Sequence, residues 1–132
     1  MKKEFNRVAI FKALGLSVLM LLLFCRSIQA QQTVRIEEIN KHIGETVKVC
    51  TRIYGGQYFN RMQDRPTLLY AGQSFPNQPL NVLIPNAARE AFDDRPEMMY
   101  AFKQVCIMGK LEIIKGSLTI MVTEPQQIKL DF

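Results

Sequence analysis

The chain is poor in the residues that do most enzyme chemistry. It has one histidine, His42, no HExxH run, and no cysteines paired at metal-binding spacing. It has no glycine-rich phosphate loop. His42 reads as an ordinary surface residue. Glu37-Glu38 and Asp93-Asp94 read as solvated acids, and Ser74 and Ser117 stand in turns without an evident base. These absences lead us to expect a protein that is not an enzyme, holds no metal and needs no cofactor.

A long apolar run is lacking as well. Ala13 to Cys25 is uncharged and mostly apolar, but it is short of the ~20 residues of a membrane span. Lys2, Lys3, Arg7 and Lys12 precede it, and Ser27-Ile28-Gln29-Ala30 follows with a small residue at the expected cut. That layout is a secretory signal peptide over residues 1–30, with an uncleaved anchor as the alternative. Phe24 does not suit a lipobox, so Cys25 belongs to the leader.

Net charge of one sign is also missing once the leader is set aside. The whole chain carries +5. The leader holds five of the basic residues and one of the acidic, so residues 31–132 have 12 basic and 11 acidic side chains. A broad electrostatic case for an anionic partner largely disappears. Two cysteines remain, Cys50 and Cys106, and in an exported protein such a pair points to a disulfide. The expected location is periplasmic or extracellular, with no stable membrane span after cleavage.

What is present is β structure. Residues 103–124 read as a hairpin. Val105, Ile107, Leu111 and Ile113 alternate in one run, and Leu118, Ile120 and Val122 in the next. Lys115-Gly116 supplies the turn. That turn sets Ile113 opposite Leu118, Leu111 opposite Ile120 and Glu112 opposite Thr119, and a one-residue slip would lose the match.

The chain before the hairpin reads as follows. Ile36, Ile39 and Ile43 fit one side of a short helix stopped by Gly44. Residues 46–54 form a strand with Val47, Val49, Thr51 and Ile53 inward and Lys48, Cys50, Arg52 and Tyr54 outward. Residues 55–66 read as a loop. Residues 67–72 and 80–84 are further strands, joined by a turn-rich connection. Asn86 is placed to cap a short helix through Phe92. Met98-Met99 reads as core filler. Glu124-Pro125 ends the last strand, and Ile128 and Leu130 are placed to tuck the tail back.

Five short strands with a helix between the third and fourth is the layout of an OB-fold, a closed Greek-key barrel. There the first and fourth strands are antiparallel neighbours. Cys50 and Cys106 would then emerge on the same side, which permits a cross-strand bridge. Two half-buried free thiols are the alternative.

The segments 43–53, 66–84 and 103–128 carry a resemblance. With its VC, GK, KG and TEPQQI landmarks, the last is the most specific. The sequence resembles small exported bacterial OB-fold domains of the nucleic-acid-binding-like kind. Thr51-Arg52 stands where these usually carry Gly-Lys, and Tyr70 where the second strand often carries Asn. The resemblance implies a single OB-fold domain over residues 31–132 and a binding role.

OB-folds bind single-stranded nucleic acid or oligosaccharide over their second and third strands. The candidate contacts are Arg52, Tyr54, Tyr58, Arg61, Arg65 and Tyr70, with Lys110 beside them. Arginines would meet phosphates, and aromatics would stack on bases or sugars. For the loop members, the alternative is an aromatic capping the core beside solvated arginines. The near-neutral charge and the short last turn count against nucleic acid, and the near-neutral surface better suits the alternative, a protein-interaction or structural module of the cell envelope.

Overall fold

The computed structural model describes residues 12–21 and 32–132. The chain divides into two units, Met1–Ala30 and Gln31–Phe132. In the first unit, residues 12–21 are helical. Lys2, Lys3 and Arg7 of the basic start, Cys25 and the expected cleavage point lie outside the described residues. No described helix is long and apolar enough to cross a membrane.

The second unit is built on alternation. Its strands are β1 (Thr33–Val34), β2 (Thr46–Tyr58), β3 (Thr67–Ala71), β4 (Leu80–Ile84), β5 (Gln104–Ile114), β6 (Ser117–Met121) and β7 (Ile128–Leu130). Five of them close a barrel in the order β2-β3-β4-β6-β5, sealed by β2 pairing back onto β5. All of those pairings are antiparallel except β4 with β6, which is parallel. The result is an OB-like closed barrel, as the strand pattern implies. β1 and β7 are additions to the expected five, lying beside β2 and β5 respectively.

Closure requires the two long strands to serve two neighbours each. β2 pairs with β5 over Thr46–Arg52 and with β3 over Ile53–Tyr58. The changeover is a bulge, where Tyr54 and Gly55 together face Tyr70 between the pairs Ile53–Ala71 and Gly56–Leu69. Gly55 takes a φ of +123°, which a side chain would oppose. The two glycines therefore bend a strand where the sequence reads as a loop. The true loop is only residues 59–66.

Inside the barrel the inward sets meet as expected. Val47, Val49 and Ile53 of β2, Leu69 of β3, Leu80, Val82 and Ile84 of β4, and Val105, Ile107 and Leu111 of β5 are fully or almost fully buried. Each such side chain contributes about 1.5–3 kcal/mol relative to exposure. The hairpin has the expected register, Leu111 to Ile120, Glu112 to Thr119 and Ile113 to Leu118. Lys115 and Gly116 both adopt positive φ, +49° and +81°, as a two-residue turn of that twist requires. Ile113, expected inward, is 58% exposed because the hairpin tip overshoots the core.

Four smaller expectations are corrected. The helix before β2 is a 3-10 helix, Ile36–His42. At three residues per turn Ile36 and Ile39 align, whereas Ile43 falls off the row and is 48% exposed. The single helix after β4 is two short ones, α1 (Asn86–Arg89) and α2 (Pro96–Met99). Asn86 is not a cap, because Pro85 holds that position and the Asn86 carboxamide is engaged by Tyr58. Of the methionine pair only Met99 packs on the core, while Met98 is exposed.

Cys50 and Cys106 are directly opposed across β2 and β5 and form a disulfide. The tail is tied in by Ile128, which is buried, and by Gln127. The Gln127 amide donates to the Met108 and Met121 carbonyls and accepts from the backbone N–H groups of Thr123 and Glu124.

Candidate functional site

The outward faces of β2, β3 and β4 form one surface, because alternate residues point away from the core. Tyr70 stands between buried Leu69 and Ala71, and Asn81 between buried Leu80 and Val82. The register sets Tyr70 beside Asn81. On its other side, Tyr70 faces the bulge that carries Tyr54. Tyr70 thus stands between an amide on one side and the bulge that carries Tyr54 on the other.

Two further groups complete the platform. The Arg52 guanidinium lies 5.6 Å from the centre of the Tyr54 ring, within cation–π range. Phe75, from the β3–β4 loop, packs on Tyr70 with ring centres 5.3 Å apart and planes inclined by 39°. Phe75 itself is 66% exposed. Burial holds the Tyr70 phenol above its ordinary pKa.

The other candidates fall elsewhere. Tyr58 is half-buried, and its ring is covered by the Arg89 guanidinium at 3.8 Å. Its hydroxyl donates to Asn86 Oδ1 at 3.2 Å. Arg89 also donates to Thr67 Oγ1 at 2.6 Å and to both oxygens of Glu97, at 2.7 and 2.9 Å. The paired charge and its hydrogen bonds hold the Glu97 carboxyl below the usual carboxylate range and the Arg89 pKa above its own. Tyr58 therefore anchors the helical segment to the barrel.

Arg61 and Arg65 are exposed in the 59–66 loop. Arg65, with a φ of +41°, reaches an open cleft of about 470 Å³ that Tyr58, Asn86, Arg89 and Glu90 also line. Arg95 and Asp94 share that cleft, so its walls carry both signs of charge. Lys110 stands opposite Thr46, at the far end of β2 from Tyr58, and lies 3.5 Å from Glu112. The structure thus brings Arg52, Tyr54 and Tyr70 together, sets Tyr58 and Arg65 on a second cleft, and leaves Lys110 apart.

The sequence reading missed Phe75, Asn81, Arg89 and Glu97. An aromatic in a Pro-flanked turn offered the one usable signal, for Phe75. The Arg89–Glu97 pair spans a break between two helices, and no helical spacing announces it.

No protein-family model matches the chain, and no curated protein matches it. Among solved structures, one similar chain is a Leishmania major Friedlin protein assigned as an aspartyl-tRNA synthetase, at 8% identity and a TM-score of 0.47. The match covers 80% of this chain and 21% of that one, so the chain spans about a fifth of its length.

Proposed function

We propose that this chain is an exported, non-catalytic OB-fold binding module, with residues 1–30 as its signal peptide and residues 31–132 as its one domain. Its ligand is an extended polymer of stackable units, single-stranded nucleic acid or oligosaccharide, laid across the outward face of β2, β3 and β4. One observation carries the reading. The register sets Tyr54 beside Tyr70 at the bulge, and Phe75, two-thirds exposed, packs on Tyr70.

Clustered aromatic rings on an open face are what repeating flat units stack upon. The Cys50–Cys106 disulfide is compatible with export. The mechanism is capture alone. The strands hold the rings, the bulge brings Tyr54 level with Tyr70, and Asn81 offers hydrogen bonds at the side.

The test is an amide-resolved NMR titration of the purified protein with a dT15 oligonucleotide and, separately, with neutral hexasaccharides. Saturable shifts at Tyr54, Tyr70, Phe75 and Asn81 with either ligand are the expected result. Shifts confined to other faces, or none with any ligand, would overturn the assignment of this face.

A further inference from the structure

Residues 66–88 contain no charged side chain. That stretch supplies all of β3, the β3–β4 loop and all of β4, which form the centre of the aromatic platform. In place of charge it carries amides and a hydroxyl: Gln73, Ser74, Asn77, Gln78 and Asn81. Gln73, Ser74 and Asn77 are exposed, and Gln78 and Asn81 are half-buried.

These features discriminate between ligands. A nucleic acid brings one negative charge per nucleotide, and its affinity comes largely from Lys and Arg at the phosphates. On this face Arg52 is the cation beside the rings, and it already lies over Tyr54. The parity of the hairpin continues the row from Asn81 to Thr119 and then to Glu112, so the next ionised group along it is acidic. A polyanion would meet one cation, then a neutral centre, then a carboxylate already paired with Lys110 at 3.5 Å.

A neutral sugar has complementary needs. Its C–H face packs on an aromatic ring, and its hydroxyls both donate and accept. Side-chain amides offer both roles at once. Gln78 Nε2 donates to Asn81 Oδ1 at 2.9 Å. Gln78 Oε1 is buried without a hydrogen-bond partner.

We infer that the ligand of this face is a neutral oligosaccharide. Phe75, Tyr70 and Tyr54 stack on successive rings, and Asn77, Gln78 and Asn81 hydrogen-bond the hydroxyls. This rests on the proposed binding role of the same face and names its ligand class.

The experiment is calorimetric titration of the purified protein with maltohexaose, cellohexaose and chitohexaose. A parallel titration uses dT15, each at 50 and 500 mM NaCl. The variants are Phe75→Ala and Asn81→Ala, with circular dichroism to confirm that they fold. The expected result is saturable binding of at least one hexasaccharide, unchanged by salt and weakened about tenfold or more by Phe75→Ala. Asn81 is partly buried, so a misfolded Asn81→Ala leaves the decision to exposed Phe75. Salt-sensitive binding of dT15 with no hexasaccharide bound would overturn the sugar assignment and leave the binding role standing. No binding of any of the four would overturn both. Hexasaccharide binding that Phe75→Ala leaves unchanged would overturn the platform as its site.

Discussion

Arg89 meets Glu97 through two side-by-side N–H···O bonds, Nη1 to Oε2 at 2.7 Å and Nη2 to Oε1 at 2.9 Å. Each side chain is only 14% exposed. Because Arg89 also holds Thr67 and covers Tyr58, this pair fastens α1 and α2 to the end of the barrel. Glu97→Gln removes the charge and should destabilise the domain by about 1.5–3 kcal/mol at pH 7. The lowered Glu97 pKa fixes the sign. Its contribution is full above the ordinary carboxylate value of 4.5 and is lost as pH falls through the lowered folded value. Urea unfolding at pH 7 and pH 3 checks it, since the gap between wild type and variant should narrow in acid.

The Cys50–Cys106 bridge joins residues 56 apart in sequence. Removing it as the Cys50→Ser, Cys106→Ser double variant should lower stability by up to ~4 kcal/mol, the chain-entropy value for a loop of that size. The paired register on both sides should keep the fold. Non-reducing mass spectrometry of the oxidised protein should find residues 50 and 106 in one linked peptide. Two alkylatable thiols in folded, exported protein would count against the bridge.

Gly56 and Gly116 should fail for different reasons. A Cβ on Gly56 would stand 2.6 Å from the Leu68 carbonyl oxygen and 2.8 Å from Leu69 Cδ2. The backbone cannot step aside cheaply, so Gly56→Ala should cost about 1–3 kcal/mol. A Cβ on Gly116 meets nothing within 4 Å, but φ is +81°. Gly116→Ala should therefore cost only about 1–2 kcal/mol, from backbone strain. Thermal melts of the two variants rank them.

Gln127→Ala should loosen the tail without opening the barrel. It removes the donor to Met108 and Met121 and the acceptor for Thr123 and Glu124. A loss of about 1–2 kcal/mol is expected. Faster amide exchange should be confined to residues 123–130 and to the edge of β5 that pairs with β7.

The hairpin was legible because its signal is local. Alternation at period two, with Lys115-Gly116 between the runs, leaves one register for Leu111 and Ile120. The disulfide followed from parity, since Cys50 and Cys106 sit on the outward sets of strands that a Greek-key barrel makes neighbours. Gly55-Gly56 misled because a bulge and a loop use the same residues, and only pairing with β3 tells them apart. Among the candidate contacts, Arg52 and Tyr54 were legible as outward residues of one strand and Tyr70 as a residue of the next. The role of Tyr58 was not, because it depends on Arg89, a residue 31 positions away that arrives only when the helical segment folds back.

The bridge has a mechanical consequence. β1 and β7 begin and end the domain, and they lie against β2 and β5, which the disulfide joins. Traction applied through the two ends would peel these outer strands, then β6 and the parts of β2 and β5 outside the link, and stop at the covalent bond. The 56-residue span beyond it, roughly 200 Å if drawn out at about 3.5 Å per residue, stays off the load path. Arg52, Tyr54, Tyr70 and Phe75 all lie within that span. The residues of the aromatic face would bear no tension, although β4 would lose β6 as its neighbour.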